Sequence, residues 1–300
     1  MYIANELKTT KPNYEMDSIR ESFIDNLQQI VEKFFYDKSL FSEDDFTYYI
    51  LDEHVLNTNC NKDIFTCVYL EINQPNNYKP QLKKPGKLKQ MWLDKTKDKY
   101  HIPELFITLS DIRKGLCETC LKHFDKNNIV WQDKYSVCIK STVLDDENKK
   151  HDYYFKIIPA LTYHNKNNVK GLVYYSGNDI QIEYPSKFYE NFEAKNKKTK
   201  DKFRQIVLIL KNILLKDKSC ERLPSEIIET LVYNVPNSML KDDDLNSIIN
   251  VVNFIRNNPL RDFKTIDEQD YAFSSLYRGM SAFYSRHILK IIEKTLTKSN

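Results

Sequence analysis

The chain has 300 residues, enough to bury a large core in one bilobed unit or two domains, and its formal net charge of +3 gives no global signature of nucleic-acid binding. No apolar run approaches the roughly 20 residues of a membrane span and the N-terminus lacks a signal-peptide core, so the sequence predicts a soluble, cytoplasmic protein with no membrane partner. With only 5 glycines, none before Gly86, it excludes glycine-rich phosphate loops, and side chains would have to hold any bound nucleotide.

The first part of the chain predicts an α+β domain over residues 1–183. Apolar residues at helical spacing, after a capping-box pattern of Ser18 and Glu21, predict a helix over 17–38. A second helix is predicted over 110–124. β-branched and aromatic runs between polar breaks predict six strands, over 46–51, 64–72, 134–142, 153–161, 169–175 and 180–184.

After Tyr184-Pro185 the pattern is helical only, which predicts a helical domain over residues 184–300. The expected helices cover 186–195, 199–216, 224–233, 243–257 and 269–297.

Two clusters of potential metal ligands favour ordinary structural roles. Cys117 and Cys120 form a CxxC followed by His123, but a structural zinc site would need a second pair at comparable spacing, so buried free thiols are expected. Asp52, Glu53 and His54 are consecutive, and in a strand they would point to alternate faces. Neither cluster predicts a metal site.

Four stretches share the order and spacing of one known family. They are Phe155-Lys-Ile-Ile-Pro-Ala160, the region from Tyr184 to Thr199, the helix from Phe203 to Asn212, and the region from Leu223 to Asn237. Together they resemble the bacterial nucleotidyltransferases related to cyclic GMP–AMP synthase and DncV, the CD-NTase or oligoadenylate-synthase-like proteins. The resemblance implies a mixed-sheet nucleotidyltransferase (polymerase β-like) domain followed by an all-helical lobe.

The resemblance also implies a catalytic centre that this chain lacks in part. The family holds two Mg²⁺ ions with an Asp-x-Asp pair and a third carboxylate three residues before the Pro-Ala. Asp63 matches the first carboxylate, whereas Phe65 and Lys156 replace the other two, and Ile50-Leu-Asp-Glu53 stands where the family has a Gly-Ser turn. Asp63 is the one surviving catalytic candidate, and Mg²⁺ is implied only if the protein is active.

Part of the phosphate-binding surface is retained. The resemblance places Lys211 and Ser225 at positions that contact nucleotide phosphates, while Glu226 replaces a stacking aromatic residue and Leu208 replaces an arginine. Lys156 is a third candidate nucleotide ligand, because its cation stands where metal charge would otherwise be.

The sequence therefore predicts a degenerate nucleotidyltransferase that binds an NTP or acts as a scaffold for a protein partner, in a bacterial defence or signalling system. One alternative is an active Mg²⁺-dependent enzyme in which Asp52, Glu53 or Glu71 restores a carboxylate. Another is an RNA-binding module that uses two basic runs, Lys79–Lys99 and Lys195–Lys202.

Overall fold

The computed structural model describes residues 17–36, 46–52, 64–72, 109–124, 128–144, 150–176, 179–217, 226–240, 243–273 and 282–297. They fall into two compact units, a sheet unit that ends at Pro185 and a helical unit that begins at Ser186. We keep the division into domains 1–183 and 184–300 as a proposal. No helix in the described part of the chain is long and apolar enough to cross a membrane.

The sheet unit contains two helices and a mixed sheet. The helices are α1 (Asp17–Tyr36) and α2 (Leu109–His123), and the strands are β1 (Phe46–Asp52), β2 (Ile64–Ile72), β3 (Asn128–Gln132), β4 (Val137–Leu144), β5 (Lys150–His164), β6 (Lys170–Ser176) and β7 (Asp179–Glu183). The strand order is β1-β2-β5-β4-β3, with β6 joined to β5 and β7. The β2–β5 pair is parallel and the other pairs are antiparallel. The predicted α+β class is confirmed.

Two differences from the predicted strands lie in one hairpin. The strand expected from residue 134 begins at Val137, because residues 133–136 form a turn closed by a bond from the Asp133 N–H to the Ser136 carbonyl. Strand β3, which precedes this turn, was not predicted. It is only five residues long and lies at the edge of the described sheet.

The helices cover one face of the sheet. Phe23 of α1 stacks on Phe155 of β5 with 3.4 Å between ring centroids, and Ile112 and Leu116 of α2 are buried in the same core. Successive side chains of a strand point to opposite faces, so Lys156 points away from the face that α1 covers.

The helical unit contains α3 (Pro185–Lys198), α4 (Lys202–Leu215), α5 (Glu226–Tyr233), α6 (Asp244–Asn257) and α7 (Ala282–Thr297), with short 3₁₀ turns at Asn237–Met239 and Leu260–Asp262. Asp243 caps α6 by accepting bonds from two backbone N–H groups. The helix expected from residue 269 is wrong at its start. Residues 269–273 are not helical, since the Tyr271 backbone bridges to Lys264, and α7 is described from Ala282.

Gly171 of β6 marks a close packing contact, and replacing it by alanine should destabilise the sheet unit. An added Cβ would lie 2.7 Å from a ring carbon of Tyr184 and 2.8 Å from the Glu183 carbonyl oxygen. Because the carbonyl cannot move freely, we expect Gly171→Ala to lower the free energy of unfolding by about 1–3 kcal/mol. Urea denaturation measures this, with the exposed Lys166→Ala as control. Equal midpoints for the two variants would contradict the packing.

Candidate functional site

Lys156 lies on β5, the central strand of the sheet, and on the face opposite α1. Its backbone pairs with Cys67 of β2 on one side and with Cys138 of β4 on the other. The side chain is 53% exposed, and its ammonium lies 3.6 Å from Asp133 Oδ2. The position expected to hold a carboxylate is thus occupied by a solvent-accessible cation flanked by two thiols.

Asp133 is a carboxylate near Lys156 that no sequence motif indicated. Its Oδ1 accepts bonds from the backbone N–H groups of Tyr135 and Ser136, and its Oδ2 faces Lys156 and the Cys138 thiol. Burial raises the pKa of Asp133, but the bonds from Ser136 and Tyr135 and the nearby Lys156 outweigh burial and hold the pKa below its ordinary value. The carboxylate is therefore fixed by the hairpin turn and is ionised.

The residues around Lys156 do not fit the two Mg²⁺ ions of the family. A dication about 4 Å from an ammonium is disfavoured by several kcal/mol at an effective dielectric constant near 20. Cys67 and Cys138 are soft ligands, and Asp133 alone supplies too few oxygens for a hard cation. Throughout the described segments, no three His, Cys, Asp or Glu side chains could hold a metal ion together.

Of the other carboxylates that could replace the missing metal ligands, the structure describes the side chain of Glu71. Asp63, Glu53 and His54 lie outside the described residues, and Phe65 and Asp52 are described only as strand backbone. Glu71 is fully buried, so it does not replace the missing metal ligands. Its carboxylate accepts bonds from Tyr49 Oη at 2.8 Å, Thr162 Oγ1 at 2.6 Å and Lys170 Nζ at 2.9 Å.

In the helical unit, Lys211 is buried in an ion pair. The ammonium of this α4 residue donates to Glu229 Oε1 of α5 at 2.7 Å, and both side chains are almost fully buried. To reach a phosphate, Lys211 would have to leave this partner. Its role as a phosphate ligand remains a proposal, and Ser225 lies outside the described residues.

Glu226, at the first position of α5, lies in an acidic environment. Burial, followed by the nearby carboxylates of Glu229 and Asp267, raises the pKa of Glu226 to about 7. Burial likewise raises the pKa of Asp267, although its bond from Thr265 opposes the shift. Glu226 thus changes its charge near neutral pH.

Replacing Glu226 by glutamine should change the pH dependence of stability. The pKa of Glu226 is raised from 4.5 in the unfolded chain to about 7 in the folded protein, so protonation of this carboxyl stabilises the fold. The contribution is complete below pH 4.5 and is lost as the pH rises through 7. We therefore expect Glu226→Gln to leave the free energy of unfolding unchanged at pH 4. At pH 8 we expect it to raise the free energy of unfolding by on the order of 1 kcal/mol relative to the wild type. Urea denaturation at both pH values measures it. The exposed Glu190→Gln controls for net charge, and a gain independent of pH would contradict the assignment.

The basic run Lys195–Lys202 is not a continuous cationic surface. Lys195 is buried and donates to the Val235 carbonyl and Asn237 Oδ1, and its burial, with Lys198 nearby, lowers its pKa to about 8. Lys202 pairs with Asp244 at 2.6 Å. The expectation that these two lysines contact nucleic acid is therefore not supported, and the run Lys79–Lys99 lies outside the described residues.

The CxxC motif lies on α2, and neither thiol is activated. Cys120 is buried and Cys117 half-buried, and both are free. Burial raises the pKa of both thiols, that of Cys120 to about 12. This fits the structural role expected for them.

Comparison with known proteins links both units to one fold. Residues 190–296 match the family model of the cGAS/DncV-like nucleotidyltransferase C-terminal helical domain. A stretch of 135 residues is 26% identical to the cyclic UMP-AMP synthase of Rhodothermus marinus (strain SG0.5JP17-172), covering 43% of this chain and 47% of that protein. The aligned stretch thus spans about half the length of this relative.

Solved structures extend the likeness over the whole chain. The Rhodothermus marinus CdnE c-UMP-AMP synthase with Apcpp and Upnpp has a TM-score of 0.71 at 16% identity, covering 99% of this chain and 96% of that one. The Elizabethkingia meningoseptica CdnE cyclic dinucleotide synthase with GTP and Apcpp has a TM-score of 0.66 at 16% identity, covering 100% and 98%. Escherichia coli DncV in its 3′-deoxy GTP bound form has a TM-score of 0.54 at 10% identity, covering 98% and 79%.

These likenesses define the chain as a protein of the α+β nucleotidyltransferase fold with a C-terminal helical domain. Residues 190–296 match the helical domain of the cGAS/DncV-like nucleotidyltransferases, the family that the four motif stretches resemble.

Proposed function

We propose that this protein is a degenerate nucleotidyltransferase that binds nucleotides without catalysing metal-dependent nucleotidyl transfer. The observation that carries the proposal is Lys156, an exposed cation where the family resemblance calls for a metal-binding carboxylate. Its strand neighbours are cysteines, and Phe65 stands in place of a second carboxylate. The lost metal ligands therefore lie in adjacent strands of one sheet.

Nucleotide binding is supported by the same cation. A lysine ammonium binds phosphate as a point charge and needs no divalent ion to do so. The similar synthase structures from Rhodothermus marinus and Elizabethkingia meningoseptica contain Apcpp with Upnpp and GTP with Apcpp. We assign this chain a nucleotide-dependent binding or scaffolding role towards a protein partner, in a bacterial signalling or defence system.

Two measurements test this proposal. Wild-type protein incubated with labelled ATP, GTP, UTP and CTP, together with Mg²⁺ and Mn²⁺, should give no new product by chromatography. Calorimetry with the same nucleotides in EDTA should detect binding, which Lys156→Gln should weaken about 10-fold through loss of one charged contact. Absence of binding at millimolar nucleotide would refute the nucleotide-binding role.

The active enzyme stays a second candidate because of Asp133. This ionised carboxylate lies 3.6 Å from the Lys156 ammonium, so a carboxylate is present in the region. A nucleotide product that disappears in Asp63→Ala or Asp133→Ala, but persists in the exposed Glu190→Ala, would establish the enzyme and overturn the degenerate site.

A further inference from the structure

Trp131, Asp133 and Lys156 meet on one face of the sheet. Trp131 of β3 pairs with Cys138 of β4, and Cys138 pairs with Lys156 of β5, so the three side chains share that face. Two strand spacings separate the Trp131 and Lys156 Cα atoms by about 10 Å. Cys138, between them, is small and buried, and Asp133 Oδ2 lies 3.5 Å from its sulfur.

Trp131 presents an aromatic surface to solvent. Its side chain is 39% exposed on a strand at the edge of the described sheet, and Ile129, two residues earlier on the same face, is 59% exposed. An indole exposed beside a cation has the chemistry of a stacking platform, because every nucleobase has a π-face that can lie on it.

Asp133 Oδ2 accepts a long bond from the Cys138 thiol at 3.5 Å and faces the Lys156 ammonium, and the side chains of Asp133 and Lys156 are 34% and 53% exposed. The Asp133 Oδ1 is engaged by two backbone N–H groups. The 3.6 Å separation between Asp133 Oδ2 and the Lys156 ammonium exceeds a normal hydrogen bond. A partly exposed pair of this kind is worth at most about 1 kcal/mol, so a phosphate can compete for the lysine.

We propose that Trp131, Asp133 and Lys156 form a binding site for a ribonucleotide. The base stacks on the Trp131 indole, a ribose hydroxyl donates to Asp133 Oδ2, and a phosphate accepts from the Lys156 ammonium. The platform, acceptor and cation thus follow the order of base, sugar and phosphate, over a distance that one extended nucleotide spans. This inference rests on the proposed nucleotide-binding function and names its ligand class and its base and ribose contacts.

The sequence supplies a direct reporter for the stacking step. It contains two tryptophans, Trp92 and Trp131, so Trp92→Phe leaves Trp131 as the single indole. We expect ATP in EDTA to quench the fluorescence of this variant saturably, after correction for nucleotide absorbance. Inorganic tripolyphosphate should compete with ATP without quenching, because it binds Lys156 but has no base.

Three variants test the individual contacts by calorimetry. Trp131→Leu and Lys156→Gln should each raise the dissociation constant of ATP roughly 10-fold. Asp133→Asn, which can still accept the two turn N–H groups, should lose the preference for ATP over its 2′,3′-dideoxy analogue. Thermal unfolding verifies that each variant remains folded.

The outcomes separate this site from the proposed function. If calorimetry detects ATP but Trp131 fluorescence is unchanged and Trp131→Leu binds normally, the site is refuted and the nucleotide-binding function stands. If no nucleotide binds, both fail. If an oligoribonucleotide binds far more tightly than ATP, with a steep salt dependence, the ligand is RNA and the mononucleotide site is overturned.

Discussion

Replacing Lys211 by methionine is expected to lower the free energy of unfolding by about 3–5 kcal/mol, because it leaves the Glu229 carboxylate buried without its cation. The ammonium and Glu229 Oε1 are 2.7 Å apart and both side chains are almost fully buried, so water cannot replace the lost partner. The pair also joins α4 to α5, so its loss weakens the core of the helical unit.

A double variant provides the control for this ion pair. Lys211→Met combined with Glu229→Leu removes both charges and should recover most of the lost stability, since a hydrophobic pair of similar volume avoids the cost of burying charge. Urea denaturation of the wild type, both single variants and the double variant measures the coupling. An unchanged midpoint in Lys211→Met would mean that the lysine is free in solution, which would favour its role as a phosphate ligand.

Replacing Glu71 by alanine is expected to cost about 3 kcal/mol, the second-largest effect. The buried carboxylate accepts bonds from Tyr49, Thr162 and Lys170, which lie on three other strands. Removing the acceptor leaves the Tyr49 and Thr162 hydroxyls without this partner and opens a cavity in the sheet, while Lys170 keeps its bond to Tyr49 Oη at 3.1 Å.

Glu71→Gln distinguishes a structural role from a catalytic one. The amide keeps the shape and one acceptor oxygen, so we expect a loss of stability about half as large as in Glu71→Ala. Thermal and urea denaturation measure both variants. A metal ligand in an active site would behave differently, because its removal commonly leaves stability unchanged or higher while activity is lost.

The sequence predicted most elements of the fold because their signals are local and repeated. The helices of the helical unit carry apolar residues at a spacing of three and four, and β2 and β5 are long β-branched and aromatic runs. β3 could not be found this way. Its alternation is short, and Ile129 and Trp131 are exposed, so its position depends on pairing with β4.

Of the residues in the candidate site, the sequence singled out Lys156 but not the residues that lie beside it. Lys156 was singled out by its place in the Phe155–Ala160 stretch, whereas Asp133 lies 23 positions earlier and reaches it through a hairpin turn. The segment Asp133-Lys-Tyr-Ser136 carries a turn signal, since an aspartate often accepts bonds from the N–H groups that follow it. That signal places the turn but does not identify the facing strand.

The burial of Lys211 had a signal that the family resemblance obscured. Lys211 lies one turn or less from Val207, Leu210 and Leu214, so helical spacing alone places it on the apolar stripe of α4. A lysine on such a stripe indicates a buried acidic partner, and Glu229 on the apolar helix α5 is that partner.

The parallel pairing of β2 with β5 has a consequence for how the chain folds. These two central strands are separated in sequence by α2 and the β3–β4 hairpin, so the sheet cannot close until distant segments meet. In the other unit, α4 packs most closely against α5, the next described helix along the chain, although it also contacts α6 and α7. Local contacts form faster than distant ones. On refolding, the α4–α5 packing should appear early, while the strand environment of Lys156 should be among the last parts of the protein to form.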